Sequence, residues 1–176
     1  MKVKTEIQYC SGFADLPAVE RFQDWADCVL LIHGTTEYHR EEARVRTDSE
    51  DDIQLEKSNE YRQIVVRLVD GQEMKALNGK WRDKPYATNV LAFPAGEMPG
   101  VADYPLGDIV ICAEVVQSEA EEQGKPYIDR MAHIFIHGLL HLLGYDHHLP
   151  EHASDMERVE EEALSRLGYA KPYELP

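Results

Sequence analysis

Three histidines lie within eleven residues in the last third of the chain, at positions 137, 141 and 147. Because residues four apart share one face of a helix, His137 and His141 can bind one metal ion together. Gly144 follows an apolar run and predicts the end of that helix, since glycine readily adopts the left-handed conformation. The chain reversal would bring His147 to the same ion. Three imidazoles with one open coordination position are typical of a catalytic zinc site rather than a closed structural one.

Other histidines offer alternative ligands. His133 lies one further helical step back, but three successive turns span about 12 Å, which is too long for one coordination sphere. We therefore expect His133 to contact a ligand or to be a core residue. His148 and His152 lie beyond the turn and are either surface residues or alternative ligands. Nickel, copper or manganese would also suit such a site.

The residue after the first site histidine bears on the reaction. In H-E-x-x-H metallopeptidases that residue is a glutamate that acts as the general base. Here it is Gly138. A conventional peptidase mechanism therefore lacks its proton acceptor, and the sequence disfavours peptide hydrolysis.

Hydrophobic periodicity predicts the elements that carry these residues. Strands are predicted at 3–9, 64–69, 88–94 and 108–112, and helices at 16–32, 72–79, from 118, at 127–143 and at 151–167. The acidic stretch at about 37–60 predicts a polar surface excursion. The order β-α-β-α-β-β-α-α-α predicts the α+β class, with one small mixed β-sheet packed with about five helices in a single domain spanning 1–176.

Local signals set three of these boundaries. Asp70-Gly71 predicts a turn after the second strand. Asn78-Gly79 predicts the end of the second helix. Ser118 followed by Glu121 has the pattern of a capping box and predicts the start of the third helix.

The net charge of −15 argues against a general coating of nucleic acid. The acidic residues are unevenly spread, however, and four basic residues fall within ten positions. These are Lys75, Lys80, Arg82 and Lys84, which we define as the basic segment. The basic segment provides the candidate contacts to a phosphate backbone.

The cysteines and the N-terminus indicate the compartment. Cys10, Cys28 and Cys112 are scattered and lack C-x-x-C spacing, which predicts small apolar packing roles in a reducing environment. Residues 1–7 lack the apolar region of a signal peptide, and no apolar run is long enough to span a bilayer. We expect a cytoplasmic protein without a membrane partner.

Over most of its length, the chain resembles the YbeY family of metal-dependent endoribonucleases. The most specific match is residues 137–147, H-G-L-L-H-L-L-G-Y-D-H, against the family's H-G-x-L-H-L-x-G-Y-D-H. A second match joins Leu77-Asn78, Arg82 and residues 88–94, where Ala92 replaces a common serine. A third match covers residues 106–111.

The resemblance implies a metallopeptidase (zincin)-like core and one Zn²⁺ ion held by His137, His141 and His147. It implies cleavage of single-stranded RNA in ribosomal RNA maturation, especially at the 3′ end of the small-subunit RNA, and a part in ribosome quality control. Ribosomal RNA, the small subunit and its assembly proteins would be the partners. It also implies a catalytic role for Arg82, whose guanidinium would hold a phosphate bidentately.

Several other side chains have two interpretations. Arg82 could instead form a surface salt bridge with Asp83 or Glu73. Trp81 could stack on RNA bases, as could Tyr86, or Trp81 could lie in the core.

Asn89 and Thr88 could orient the site, or Asn89 could only form a turn. Asp108 could contact a ligand imidazole or cap its strand. Asp146 could orient His147 or stabilise the turn.

Two further functions remain open at this point. The chain could be a zinc hydrolase of peptides or small molecules. It could also be a non-catalytic ribosome assembly factor whose metal fixes the helix to the turn. Removal of zinc would separate catalysis from a structural role, because a structural metal supports folding itself.

Overall fold

A computed structural model describes residues 1–34, 61–96, 104–146, 150–170 and 172. The predicted acidic excursion at about 37–60 lies outside these residues. The described elements are β1 (Lys2–Tyr9), α1 (Val19–His33), β2 (Tyr61–Val69), α2 (Gly71–Arg82), β3 (Val90–Pro94), β4 (Gly107–Cys112), α3 (Ala113–Glu122), α4 (Tyr127–Leu142) and α5 (Pro150–Arg166). Their order confirms the predicted mixed sheet with about five helices. No helix in these ranges is long and apolar enough to cross a membrane.

The sheet has the strand order β1-β2-β4-β3. Strands β1, β2 and β4 are parallel, and β3 runs antiparallel to β4 with Val90 opposite Ile111. The antiparallel strand β3 therefore forms one edge of the sheet.

The two faces of the sheet are covered differently. In β2, Ile64, Val66 and Leu68 point into the main core, which α1, α4 and α5 complete on that face. The alternate residue Val69 points to the other face, where it packs with Met74 of α2. This alternation follows from the two-residue period of a strand. Helix α4 is thus held firmly against the sheet, and α2 lies on the opposite side.

The end predicted for the second helix is wrong. Helix α2 continues through Asn78-Gly79 to Arg82 and ends at Asp83, which adopts a left-handed φ of 57°. Asn78 is buried, and its Nδ2 donates to the Tyr86 carbonyl at 2.8 Å. This contact with the loop that follows α2 overrides the local turn tendency of Asn-Gly, because a buried N–H group without an acceptor would cost free energy.

The start of α2 also differs from expectation. Asp70 is not part of a free turn but caps the helix, and its Oδ1 accepts from the Glu73 N–H at 2.8 Å. An aspartate at this position satisfies one of the unpaired N–H groups at a helix start. The Asp70-Gly71 pair therefore marks the helix N-terminus.

The capping box predicted at Ser118 is wrong. Helix α3 begins at Ala113, directly after β4, so Ser118 lies inside the helix and its hydroxyl donates to Glu122 at 3.4 Å. The buried positions Ala113, Val116 and Ala120 follow helical spacing. Burial of this stripe from the strand end onward starts the helix earlier than the local signal suggests.

The cysteine prediction holds for two of the three residues. Cys112 is buried and Cys28 is partly buried, and burial raises the pKa of both thiols. Cys10 is exposed, so a packing role for it is wrong. Its position just after β1 leaves the side chain at the protein surface.

Candidate metal centre and nucleic-acid interface

His137 and His141 form a close pair on one face of α4. Their ring centroids lie 4.7 Å apart with an interplanar angle of 85°, and their Nε2 atoms are 3.2 Å apart. The i, i+4 spacing on a regular helix accounts for this approach. The predicted pair is therefore brought together by the structure.

The other ring nitrogen of each histidine faces an acceptor. His137 Nδ1 lies 2.8 Å from Glu160 Oε1, and His141 Nδ1 lies 3.0 Å from the Tyr145 carbonyl oxygen. Because carboxylate and carbonyl oxygens only accept, both Nδ1 atoms must donate. In neutral rings this leaves the two Nε2 lone pairs pointing at each other.

This donor set fits a zinc ion. Two facing lone pairs repel unless a cation binds both. Nitrogens bound at about 2.0–2.1 Å with tetrahedral angles would lie about 3.3–3.4 Å apart, close to the 3.2 Å seen for Nε2–Nε2. Among the described residues, no three His, Cys, Asp or Glu side chains form a group that could hold a metal. The predicted third ligand, His147, lies outside those residues, as does His148.

The reversal after α4 agrees with the predicted role of Gly144. The helix ends at Leu142, Gly144 has a φ of +93°, and the Tyr145 N–H donates to the Leu140 carbonyl at 3.0 Å. Tyr145 is buried, and its hydroxyl lies 3.2 Å from His33 Nδ1. The turn is thereby fixed, and with it the carbonyl that orients His141.

Residues beside the turn have separate contacts. Asp146 Oδ1 lies 3.3 Å from His152 Nδ1. This contact joins the end of the turn to α5. Whether Asp146 orients His147 remains a prediction because His147 lies outside the described residues.

His133 lies behind the site rather than beside the facing nitrogens. Its Nε2 is 3.4 Å from Glu160 Oε2, and its Nδ1 is 2.9 Å from Arg130 Nη1. His133 thus approaches the carboxylate that holds His137. It has the environment expected of a residue that supports a ligand.

Gly138 faces the sheet and not the histidine pair. A Cβ atom built there would lie 2.9 Å from Ile109 Cγ2 and 3.2 Å from Val90 Cγ2. The glycine therefore allows α4 to approach β3 and β4 closely. A glutamate at this position would enter the sheet interface, which strengthens the argument against a peptidase.

We expect Gly138→Glu to destabilise the fold. The side chain would be overpacked and its carboxylate buried, at a cost of about 3 kcal/mol or more, lowering the melting temperature by about 10 °C. The control is Gly12→Glu, because a Cβ at Gly12 meets no atom within 4 Å. Thermal unfolding followed by circular dichroism makes the comparison. Equal melting temperatures for the two variants, together with new peptidase activity, would contradict this interpretation.

The basic segment is exposed throughout. Lys75 and Lys80 lie on α2, Arg82 is its last residue, and Lys84 follows it. Glu73, one predicted partner of Arg82, is instead paired with Arg67 at 2.7 Å.

Within the described part of the chain, Arg82 forms no ion pair with Glu73 or Asp83. The salt-bridge interpretation of Arg82 is therefore not supported. Its guanidinium is left at the surface, where it can meet a phosphate.

Trp81 and Tyr86 are exposed beside the basic segment, at 59% and 55%. A core position for Trp81 is therefore wrong. Its ring meets Phe93 of β3 edge-on at 5.8 Å between centroids, and Lys80 Nζ lies 4.9 Å from its centroid. An exposed aromatic beside cations suits stacking with a nucleobase.

Asp108 lies on the sheet face opposite α4. It is exposed and lines a groove of about 650 Å³ together with Trp81, Phe93 and Arg67. Its neighbour Ile109 points the other way, into the main core. Asp108 therefore does not contact His137 or His141, because strand alternation directs it away from α4. A contact with His147 stays a prediction, because His147 lies outside the described residues.

Sequence reasoning missed three charged residues near the site. Arg130 forms an ion pair with Glu119 and a hydrogen bond with His133, and Glu160 contacts both His133 and His137. A signal for Glu160 was present, because it lies within the apolar stripe of α5 between Val159 and Ala163. A carboxylate at a core position of a helix is rare and indicates a buried partner.

Comparison with known proteins identifies the family. The family model described as Endoribonuclease YbeY matches residues 28–168. Proteins named Endoribonuclease YbeY from Psychromonas ingrahamii and Alkalilimnicola ehrlichii are 40% and 52% identical, each over 174 residues. These alignments cover 98% and 97% of this chain, and 97% and 90% of the relatives. A solution structure from Thermotoga maritima aligns over 96% of this chain and 99% of that chain, with 22% identity and a TM-score of 0.47. The chain therefore belongs to the YbeY endoribonuclease family.

Proposed function

We propose that this chain is a zinc-dependent endoribonuclease that cleaves single-stranded RNA, with His137, His141 and His147 as the zinc ligands. The observation that supports it most directly is the facing Nε2 pair, 3.2 Å apart, with each Nδ1 engaged by an acceptor. Membership of a family whose relatives are named endoribonucleases supports RNA as the substrate.

The protein's own groups would orient the ligands and the substrate. When bound, zinc supplies Lewis-acid polarisation of a phosphoryl oxygen and lowers the pKa of water. Glu160 and the Tyr145 carbonyl fix the His137 and His141 rings. Arg82, at the end of α2 near the edge strand β3, would grip the phosphate of an RNA strand that crosses β3 to the histidine pair, and its planar fork would stabilise the negative charge that develops there. The lysines of the basic segment would attract the RNA backbone on either side.

The finer assignment rests on the resemblance of the chain's motifs to the family. We propose that the substrate is ribosomal RNA, cleaved in maturation of the 3′ end of the small-subunit RNA and in ribosome quality control, in the cytoplasm. Small-subunit assembly proteins would be partners. The motif at residues 137–147 supports this assignment. The packing of α4, which carries His137 and His141, against a sheet with an antiparallel edge strand supports a zincin-like core.

Two alternative functions are less well supported. A peptidase would need a base at position 138, where glycine faces the sheet. A metal with a purely structural role is disfavoured because α4 already packs into a large apolar core through residues such as Phe135, Ile136 and Leu139. Such burial stabilises the helix without help from a metal.

Chelation separates the catalytic role from the structural one. We expect removal of zinc to abolish cleavage of a single-stranded RNA while the circular dichroism spectrum is kept, and added zinc to restore cleavage. Unfolding on chelation, with no cleavage at any zinc concentration, would favour the structural role. Cleavage that persists without metal would contradict zinc dependence.

A stacking role for Trp81 gives a separate prediction. We expect Trp81→Ala to weaken binding of single-stranded RNA about fivefold or more, because stacking of one base contributes about 1–3 kcal/mol. Tyr61→Ala is the matched control, since Tyr61 is similarly exposed at the start of β2. Fluorescence anisotropy with a labelled RNA measures both affinities. Equal affinities in the two variants would assign RNA contact to other residues.

A further inference from the structure

Glu160 is a carboxylate in the protein interior, with 1% of its side chain exposed. Its Oε1 lies 2.8 Å from His137 Nδ1, and its Oε2 lies 3.4 Å from His133 Nε2. A buried carboxylate is costly unless it is hydrogen-bonded and its charge is balanced. Its position in α5 therefore indicates a specific task at the site.

The polar contacts behind Glu160 run in one direction, from donor to acceptor, beginning at Arg130. Arg130 can only donate, so His133 Nδ1, 2.9 Å from Arg130 Nη1, must accept. In the neutral ring His133 then carries its proton on Nε2, which faces Glu160 Oε2. Donors and acceptors thus alternate without conflict from Arg130 to Glu160.

The same contacts extend to the edge strand. Arg130 donates to Glu119 Oε2 from Nε at 3.0 Å and from Nη2 at 2.7 Å. Asn89 Nδ2 donates to both Glu119 oxygens, at 3.1 and 3.2 Å. Asn89 immediately precedes β3. We define Asn89, Glu119, Arg130 and His133 as the support chain.

We propose that Glu160 is a positioning residue for His137 and that the support chain holds Glu160 in place. The contact to Glu160 keeps the His137 proton on Nδ1 and directs the Nε2 lone pair toward His141. The negative charge of Glu160 makes the imidazole a stronger ligand and offsets the charge of a bound cation. Because the support chain begins beside β3, it joins the edge strand to a metal ligand.

The tautomer of His137 tests this directly in metal-free protein. Long-range ¹⁵N–¹H correlation spectra distinguish a proton on Nδ1 from one on Nε2. We expect the Nδ1–H form of His137 to dominate in the wild type and the Nε2–H form to dominate in Glu160→Ala. An unchanged tautomer in Glu160→Ala would overturn the proposal. If that variant does not fold, the same spectrum of the near-isosteric Glu160→Gln decides between the outcomes. We expect it to show a mixture of the Nδ1–H and Nε2–H forms of His137.

Zinc affinity gives the second measurement, by competition with a chromophoric chelator. We expect Glu160→Gln and Glu160→Ala to bind zinc about 10- to 100-fold more weakly than wild type. Glu157→Gln is the matched control, because it removes the same charge from an exposed position on α5. Affinities equal to that control would overturn the proposal. The zinc-affinity measurement rests on the proposed function, whereas the tautomer measurement does not. If the wild type bound no zinc, the proposed function would be refuted and the tautomer result would remain valid.

The support chain is tested through Arg130. Arg130→Lys keeps the charge but loses the fork that joins Glu119 to His133. We expect it to weaken zinc binding severalfold, in the same direction as Glu160→Gln. Arg158→Lys, on the exposed side of α5, is the control. Equal zinc affinity in these two variants would show that Glu160 holds His137 without the support chain.

Discussion

His141→Ala is expected to lose RNA cleavage by about 10³-fold or more, since metal-ion catalysis contributes several kcal/mol to the transition state. The substitution removes one of the two facing Nε2 atoms and leaves His137 unable to complete the site. It also removes the contact from Nδ1 to the Tyr145 carbonyl, a loss of about 1 kcal/mol. The protein should therefore remain folded.

Two measurements check this expectation. Metal content by mass spectrometry should show that zinc is lost from His141→Ala, and circular dichroism should show that the fold is kept. His152→Ala provides the comparison, because His152 was an alternative ligand and contacts Asp146. We expect it to retain zinc. Retention of zinc by His141→Ala and its loss from His152→Ala would transfer the ligand role to His152.

Arg82→Lys is expected to lower kcat by about 10²- to 10³-fold. A lysine preserves the positive charge, but its ammonium cannot form two parallel hydrogen bonds with one phosphate. Arg82 is exposed at the last turn of α2, so stability should change little. The effect should appear mainly in kcat, because charge develops on the phosphate in the transition state.

The control for this variant is Arg21→Lys, which makes the same change at an exposed position on α1. Full steady-state kinetics on a short single-stranded RNA would separate kcat from KM. A rise in KM with kcat unchanged would assign Arg82 to general RNA binding. Wild-type kinetics in Arg82→Lys would exclude the bidentate role.

The elements around the site could be predicted from sequence wherever periodicity was strong. The β-rich run at 64–69 and the apolar run of α4 predicted a strand and a helix that the structure has, although β2 begins at Tyr61, and Gly144 marked the reversal. The pairing of His137 with His141 followed from helix geometry alone. These features are local, so nearby residues carry the information.

Features that depend on tertiary contacts could not be predicted in the same way. Asn78 looked like a helix end, but its side chain is buried against the Tyr86 carbonyl and the helix continues. Glu160 meets His137 from 23 positions away in the chain. Neither contact can be inferred from helical or strand spacing, because the first depends on the path of the loop after α2 and the second on how α4 and α5 pack. That Gly138 faces the sheet could likewise not be predicted, because it depends on where Ile109 of β4 lies.

The central claim is that the histidine pair and Arg82 together cleave RNA. The most direct measurement is a cleavage assay on a labelled single-stranded RNA with wild type, His141→Ala and Arg82→Glu purified in parallel. We expect cleavage by the wild type and its near-complete loss in both variants. Cleavage unchanged in both variants would indicate a contaminating nuclease and contradict the claim.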